Sequence, residues 1–365
     1  MRQAILVVAA CLALCAPVVA APPAPESIGS LDGARVAFPI APGEAPELVY
    51  LVGGRVSDEQ IAELRAVAPR LEIVHAASAE EAMTHAPRVH GADSRFVSPE
   101  FLAAAPNLVW VQSTSAGVEW LLEMPGIAES DGVVVTNMRA VHGPTIADHS
   151  FAMLLTLTRG MRLHDANQRA GRWGGAEARA GEALEGRTMF VVGLGGIGTE
   201  IARRADGFGM HVIASRRTRG PSPEFVDEVG TPDQLHEMLA RADVVAIATP
   251  LTPETEGMFD AEAFAAMKPG AYLINIARGS IVNTDAMVGA LDSGRLAGVC
   301  LDVTDPEPLP EGHTLWGRGN VVITPHVSAF GQLTSERWWA VYRDNVRRFA
   351  AGEPLLNTVD KKAGY

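Results

Sequence analysis

The chain has 365 residues, 47% hydrophobic and 20% charged, which excludes a disordered polymer and allows two medium domains with real cores. A formal charge of −13 with no basic block argues against a nucleic-acid partner. Beyond the N-terminus no stretch is long and apolar enough to span a membrane.

Met1-Arg2-Gln3 is a short positive start, and Ala4 to Ala16 is an uninterrupted apolar run too short to cross a bilayer comfortably. Pro17-Val18-Val19-Ala20 follows with the small residues that a signal peptidase reads. Residues 1–21 are therefore expected to be a secretory signal, cleaved after Ala20 or Ala21, with a periplasmic or secreted mature chain; a misassigned start would make it cytoplasmic. Cleavage would remove Cys11 and Cys15 and leave Cys300, in an apolar strand-like run, as a small core residue with no disulfide partner.

Residues 22–46 are rich in Pro and Ala and read as a loose leader. Strand-like Leu48–Val52 then leads to a helical Asp58–Val67 behind the N-cap Ser57, and Leu71–Val74 reads as a second strand. A helix opens at Ser98-Pro99, and Leu108–Gln112 and Val133–Thr136 are further strands. Gly91 to Phe96 reads as a loop, with no decisive pattern in it. A long helical segment from Thr145 to Arg159 links to a second rhythm of strands: Thr188–Val192, His211–Ala214, Val244–Ala248, Tyr272–Ile276, Val299–Val303 and Val321–Thr324. Alternating strands and helices predict an α/β protein, each domain a doubly wound parallel sheet.

The most informative stretch runs from Thr188 to Gly198. A strand passes into Gly193-x-Gly195-x-x-Gly198 and on into a helix carrying Ile197 and Ile201, the context in which this glycine pattern predicts a dinucleotide site. Gly193 permits the tight turn, Gly195 lets a pyrophosphate approach the backbone, and Gly198 allows close helix–strand packing. The next strand ends in Ser215-Arg216-Arg217, where an NAD site would carry an acidic residue for the ribose. Arginine there suits the 2′-phosphate of NADP, with Arg219 as a further candidate and NAD still possible.

In such sheets ligands lie outside the carboxyl ends of the strands. The strand ends deliver Ala277-Arg278-Gly279, then Asp302 with Asp305-Pro306-Glu307-Pro308, then Pro325-His326. A guanidinium that forks onto a carboxylate, an acid and an imidazole on one edge beside a nicotinamide site suit carbonyl reduction. No metal is expected.

The quoted stretches resemble the D-isomer specific 2-hydroxyacid dehydrogenase family across nearly all of residues 45 to 345, together with Gln112-Ser113-Thr114-Ser115-Ala116-Gly117 and Thr249-Pro250-Leu251-Thr252-Pro253-Glu254-Thr255. The resemblance implies a homodimer of two-domain subunits. Residues 22–139 plus 331–365 would form the substrate domain, with Glu336 to Ala350 folding back onto it, and 140–330 the dinucleotide domain. It implies His326 as general acid/base, Glu307 as the carboxylate that orients it, and Arg278 as the substrate anchor. The backbone of Ser115, Ala116, Gly117 and Val118 would help hold the substrate carboxylate. Gly193, Gly195, Gly196, Ile197, Gly198, Ser215, Arg216, Arg217, Thr249, Pro250, Thr255, Ala277, Asp302 and Ser328 would face the cofactor, Asp302 at the nicotinamide carboxamide.

The implied reaction is NADPH-dependent reduction of a small 2-oxo acid, glyoxylate- or hydroxypyruvate-like, to the D-2-hydroxy acid. Formate dehydrogenases carry Gln in place of Glu307, and long phosphoglycerate dehydrogenases carry a C-terminal regulatory domain, so neither branch is expected. The alternative is a non-catalytic dinucleotide-sensing or 2-oxo-acid-binding protein on the same fold. Ala147-Asp148-His149 stands where many members have Ala-Glu, and the sequence does not say what that change does.

Overall fold

A computed structural model describes residues 24–41, 44, 46–54, 56–174, 181–217 and 220–364. The expected signal segment, Cys11, Cys15 and Arg219 lie outside the described residues. Within residues 24–46 the described backbone holds one short helix, Pro25–Ile28, and is otherwise irregular.

Two wholly parallel sheets carry the fold. The first has five strands, β1 (Leu48–Gly53), β2 (Leu71–Ala76), β3 (Gly91–Asp93), β4 (Trp110–Gln112) and β5 (Val134–Thr136), in the order β2-β1-β3-β4-β5. The second has seven: β6 (Thr188–Val192), β7 (His211–Ser215), β8 (Glu228–Gly230), β9 (Val244–Ile247), β10 (Ala271–Asn275), β11 (Leu296–Leu301) and β12 (Val321–Ile323). Its order is β12-β11-β10-β9-β6-β7-β8, so the direction of winding reverses between β6 and β9. That switch point lies beside the glycine turn, where open α/β sheets take their ligands.

The local chemistry explains the elements. Ser57 and Gln60 form a reciprocal capping box on the helix Asp58–Val67, and Ser98 accepts from Phe101 N to open the helix Pro99–Ala104. Most strands are apolar on both faces, as helix-covered parallel strands must be.

Two strands correct the sequence reading. Residues Gly91–Asp93, read as loop, are a central strand, and Glu228–Gly230 is an edge strand that the reading passed over. Gly91 is required by crowding: a Cβ there would stand 2.7 Å from the Tyr50 ring and 3.0 Å from Trp110. Such a position favours glycine over the β-branched residues that announce a strand. Several other ends move by one to three residues: β10 ends at Asn275 and β11 at Leu301, so Asp302 stands just past its strand.

The first domain is built from both parts of the chain. The helix Gln332–Ala351 returns to it, placing Tyr342, Val346 and Phe349 against Tyr50 and Trp110. Asn345 donates to Gln112 Oε1 and Leu356 O and accepts from Leu356 N, and Thr136 bridges Thr358. Each fully buried aromatic of this size contributes about 1.5–3 kcal/mol or more. The helix Gly143–Thr158 packs instead on the second sheet, through Ile146, Phe151 and Leu154. Cys300 is buried there, and burial pushes its thiol well above the usual range, so it is a core residue. No described helix is long and apolar enough to cross a membrane.

Candidate active site

The carboxyl edge of the seven-stranded sheet gathers the chemistry. Gly193 adopts φ +102° at the end of β6, and its missing side chain matters: a Cβ would lie 2.8 Å from Ala248 O and Thr249 N. Gly193 N and Leu194 N donate to Ser215 O, fixing the turn to β7. Gly195 then caps the helix Gly196–Gly207, and a Cβ on it would meet nothing within 4 Å. The turn is therefore packed at Gly193, where the backbone of the β9 end presses on it, and open at Gly195, where the first N–H groups of the helix are free to meet an anion. Gly198 packs under Gly193 O with no room for a side chain. This is the fit a pyrophosphate needs.

At the end of β7 Ser215 is buried and Arg216 N donates to Gly230 O. The Arg216 guanidinium folds onto the carbonyls of Gly220 and Pro221, while its buried Nε meets no partner among the described residues. Arg217 is exposed beside it, close enough for its charge to help hold Glu254 below the usual carboxylate range, behind hydrogen bonds from Thr252 and from the Glu254 backbone. Past β9, the Thr255 hydroxyl donates to Pro250 O at 2.7 Å and accepts from Thr252 N at 2.8 Å, which shapes the Thr249–Thr255 loop.

Past β10, the buried Asn275 side chain ties the backbone on both sides of the next turn. Its Oδ1 accepts from Ala277 N at 3.1 Å and its Nδ2 donates to Arg278 O at 2.9 Å. Arg278 leaves this turn toward the first domain. Its Nη1 donates to Ala277 O at 2.7 Å, and Nε and Nη2 face Glu119 of the first domain at 3.3 and 3.4 Å. Gly279 fits only because it has no side chain, which would strike Thr304 O.

Past β12, His326 adopts φ +54°, a left-handed conformation that costs a non-glycine residue about 1–3 kcal/mol. Its Nδ1 meets Glu307 Oε1 at 2.7 Å, and Glu307 Oε2 accepts from Thr304 N at 3.3 Å. Both side chains are nearly half exposed, so the ring is held yet reachable. Asp302 holds the turn from beneath. Its carboxylate accepts from Thr324 Oγ1 at 2.6 Å, Val327 N at 2.9 Å and Ser328 N at 3.0 Å, and its carbonyl accepts from His326 N at 2.8 Å. Burial alone would raise this carboxyl, but the donors of Ser328, Thr324 and Val327 outweigh it and hold the group below the usual range. Asp302, expected at the nicotinamide, is thus 1% exposed and occupied in fixing the turn that carries His326. Ser328 is likewise buried, with its N–H on Asp302.

The structure gives roles to residues that the sequence left without one. His149 Nε2 lies 2.9 Å from Thr324 Oγ1. Thr324 has one hydroxyl proton, and the short contact to Asp302 takes it, so His149 must be the donor. Asp148 beside it pairs with Arg204 Nε at 2.6 Å, linking the helix Gly143–Thr158 to the glycine-turn helix.

From the first domain comes the loop after β4. Ser115 N is held by Ser113 Oγ at 3.1 Å, Met138 N donates to Ser115 O at 3.0 Å, and Asn137 Nδ2 donates to Ala116 O at 2.9 Å. Among the described residues the N–H groups of Ala116, Gly117 and Val118 enter no hydrogen bond. Gly117 lies so close under Arg278 that a Cβ would collide with the guanidinium. Free N–H groups and a cationic fork thus face each other across the cleft, an arrangement that can hold a carboxylate.

Comparison with known proteins agrees with this geometry. Residues 151–328 match the D-isomer specific 2-hydroxyacid dehydrogenase, NAD binding domain. The glyoxylate reductase of Thermococcus litoralis is 35% identical over 273 residues, 73% of this chain and 81% of that one. The D-isomer specific 2-hydroxyacid dehydrogenase of Xanthobacter autotrophicus Py2, solved with NADPH and MES, superposes with a TM-score of 0.74 at 30% identity, over 88% of this chain and 100% of that one. The NADPH-dependent glyoxylate/hydroxypyruvate reductase of Sinorhizobium meliloti, solved with NADP and sulfate, gives a TM-score of 0.72 at 28% identity over the same shares.

Proposed function

The chain belongs to the D-isomer specific 2-hydroxyacid dehydrogenase family, an NAD(P)-dependent oxidoreductase, and from that premise we propose that it reduces glyoxylate- or hydroxypyruvate-like 2-oxo acids with NADPH. The observation that carries this reading is the His326–Glu307 pair at 2.7 Å on the same sheet edge as Arg278.

The glycine turn from Gly193 to Gly198 would hold the pyrophosphate, Ser215 and Arg216 the adenosine ribose end, and Thr249, Pro250 and Ala277 the nicotinamide end. Bound NADPH supplies the hydride equivalent that C2 of the substrate must gain. Arg278 and the N–H groups of Ala116 to Val118 hold the substrate carboxylate and so fix C2 in the cleft. Glu307 accepts the Nδ1 proton of His326, which aims Nε2 away from the carboxylate and toward the cleft. As the C2 carbonyl becomes an alkoxide, the proton on Nε2 passes to that oxygen, while Glu307 holds the ring by Nδ1. Asp302, through Thr324, Val327 and Ser328, keeps the ring in place while the proton moves.

NADPH preference rests on Arg216. At Ser215-Arg216-Arg217, the end of β7, no carboxylate stands to accept from ribose hydroxyls, and a guanidinium there suits a 2′-phosphate. A panel of 2-oxo acids followed by cofactor absorbance tests the reading. Turnover of glyoxylate and hydroxypyruvate is expected, with kcat/KM favouring NADPH over NADH by at least about tenfold, the value of one good charge-assisted contact. No turnover of any 2-oxo acid would refute it, and equal use of NADH would refute the cofactor preference.

We further propose that the mature enzyme is exported and homodimeric. N-terminal sequencing of protein from its own host should begin at Ala21 or Pro22, and light scattering should give twice the subunit mass. Cytosolic protein beginning at Met1, or a monomer, would overturn the respective proposal.

A further inference from the structure

Arg278 reaches the cleft with one edge of its guanidinium already paired. Nη1 is on Ala277 O, and the edge formed by Nε and Nη2 faces both oxygens of Glu119 at 3.3 and 3.4 Å. Glu119 begins the short helix Glu119–Leu122 of the first domain, so this ion pair crosses the cleft. It directly follows Ala116, Gly117 and Val118, whose N–H groups are free among the described residues. A Cβ on Gly117 would collide with Arg278 and stand 2.7 Å from Glu119 Oε2, so the pair fills the space above that backbone. A carboxylate of the chain itself thus occupies the guanidinium edge that a substrate carboxylate requires, beside backbone N–H groups that it leaves unbonded.

One guanidinium edge offers two parallel N–H bonds and matches one carboxylate. A second anion on the same edge would stand against the first at contact distance, where like charges disfavour each other. We propose that Glu119 sets the enzyme's affinity for the substrate carboxylate: it stands in for that group on Arg278 and must leave when a 2-oxo acid binds. The inference rests on the reading of Arg278 as the substrate anchor.

The pair is suited to being displaced. Its contacts are long beside the 2.7–2.9 Å usual for charge-assisted bonds, and the two side chains are 34% and 26% exposed. The His326–Glu307 contact on the same edge, at 2.7 Å, has no such slack. A competing occupant lowers apparent affinity by the fraction of time that it holds the site. For an ion pair open to solvent that factor is about two to five.

The test uses the full-length protein saturated with NADP and titrated by calorimetry with oxamate, a small carboxylate that cannot be reduced. Glu119→Gln keeps the shape and removes the charge, and it should bind oxamate about two- to fivefold more tightly than wild type. The KM for glyoxylate should fall by a similar factor while kcat changes less. Glu123→Gln removes an equal charge from the exposed residue just past the same helix, and it should leave oxamate binding unchanged. Unfolding temperature and NADPH affinity measured on each variant show that the fold is intact. Unchanged or weaker oxamate binding by Glu119→Gln would overturn the proposal, as would no oxamate binding by either protein. Tighter oxamate binding in a protein that reduces no 2-oxo acid would leave this inference standing and remove the proposed activity.

Discussion

His326 and Arg216 both stand just past the end of a strand in the same sheet, yet they are held very differently. The turn of His326 is fixed by three donors on the Asp302 carboxylate, a fourth bond to its carbonyl, the Glu307 contact and the His149–Thr324 link. That many restraints can sustain φ +54° at a residue that would otherwise avoid it. Arg216 has one backbone bond at the strand end and a guanidinium resting on nearby carbonyls, with Nε unmatched among the described residues. A group that must meet a transition state has to be in place before the substrate comes. A group that recognises the far end of a cofactor can be completed by that cofactor.

The contrast can be broken by mutation, beginning where the largest effect is expected. His326→Ala should lower kcat by about 10²-fold or more, the usual loss for a general acid, with cofactor affinity nearly unchanged. Near-normal turnover would remove His326 from the mechanism. Arg278→Lys keeps the charge and loses the fork, so the KM for glyoxylate should rise more than about tenfold, and an unchanged KM would place the carboxylate elsewhere. Arg216→Asp should abolish or reverse an NADPH preference of at least about tenfold. If Arg217→Ala harms NADPH use more than Arg216→Ala does, the contact belongs to Arg217.

Smaller effects sharpen the other side. Thr324→Val removes the hydroxyl between His149 and Asp302 and should lower kcat several-fold, at a stability cost of about 1–3 kcal/mol. Thr324→Ser should restore both. Equal turnover in the valine variant would mean that the turn needs no such support. The smallest effect concerns acid. Asp302 is held below the usual carboxylate range, so its stabilisation is complete above about pH 4 and is lost as pH falls toward its folded-state value. Asp302→Asn should therefore be less stable than wild type at neutral pH and approach it in acid, and a constant difference across that range would contradict the assignment.

The sheet edge was legible because its residues follow strands in local runs: Gly193 to Gly198 after β6, Arg278 after β10, His326 after β12. Gly91–Asp93 was not legible, because the rings of Tyr50, Trp110 and Phe349 that demand Gly91 come from three distant segments. The roles of Glu119, His149 and Thr324 escaped for the same reason, since each gains its meaning from a partner in another element. Asn275 lay within a recognised run, but its two bonds to the following backbone depend on a turn that no spacing announces. Asp302 was named as a cofactor contact, but its hold on the His326 turn through Thr324, Val327 and Ser328 was not read, because burial is invisible in a string of letters.

The return of Gln332–Ala351 to the first domain also bears on synthesis. Tyr50 and Trp110 leave the ribosome well before the helix that covers them and before Thr358, which bridges Thr136. At the usual pace of translation the nascent first sheet waits on the order of 10–40 s with that apolar face uncovered. The seven-stranded sheet, contiguous from Thr188 to Ile323, has no such wait once its own strands have emerged. The domain encoded first is the one finished last, and its open face is where a chaperone would have to act.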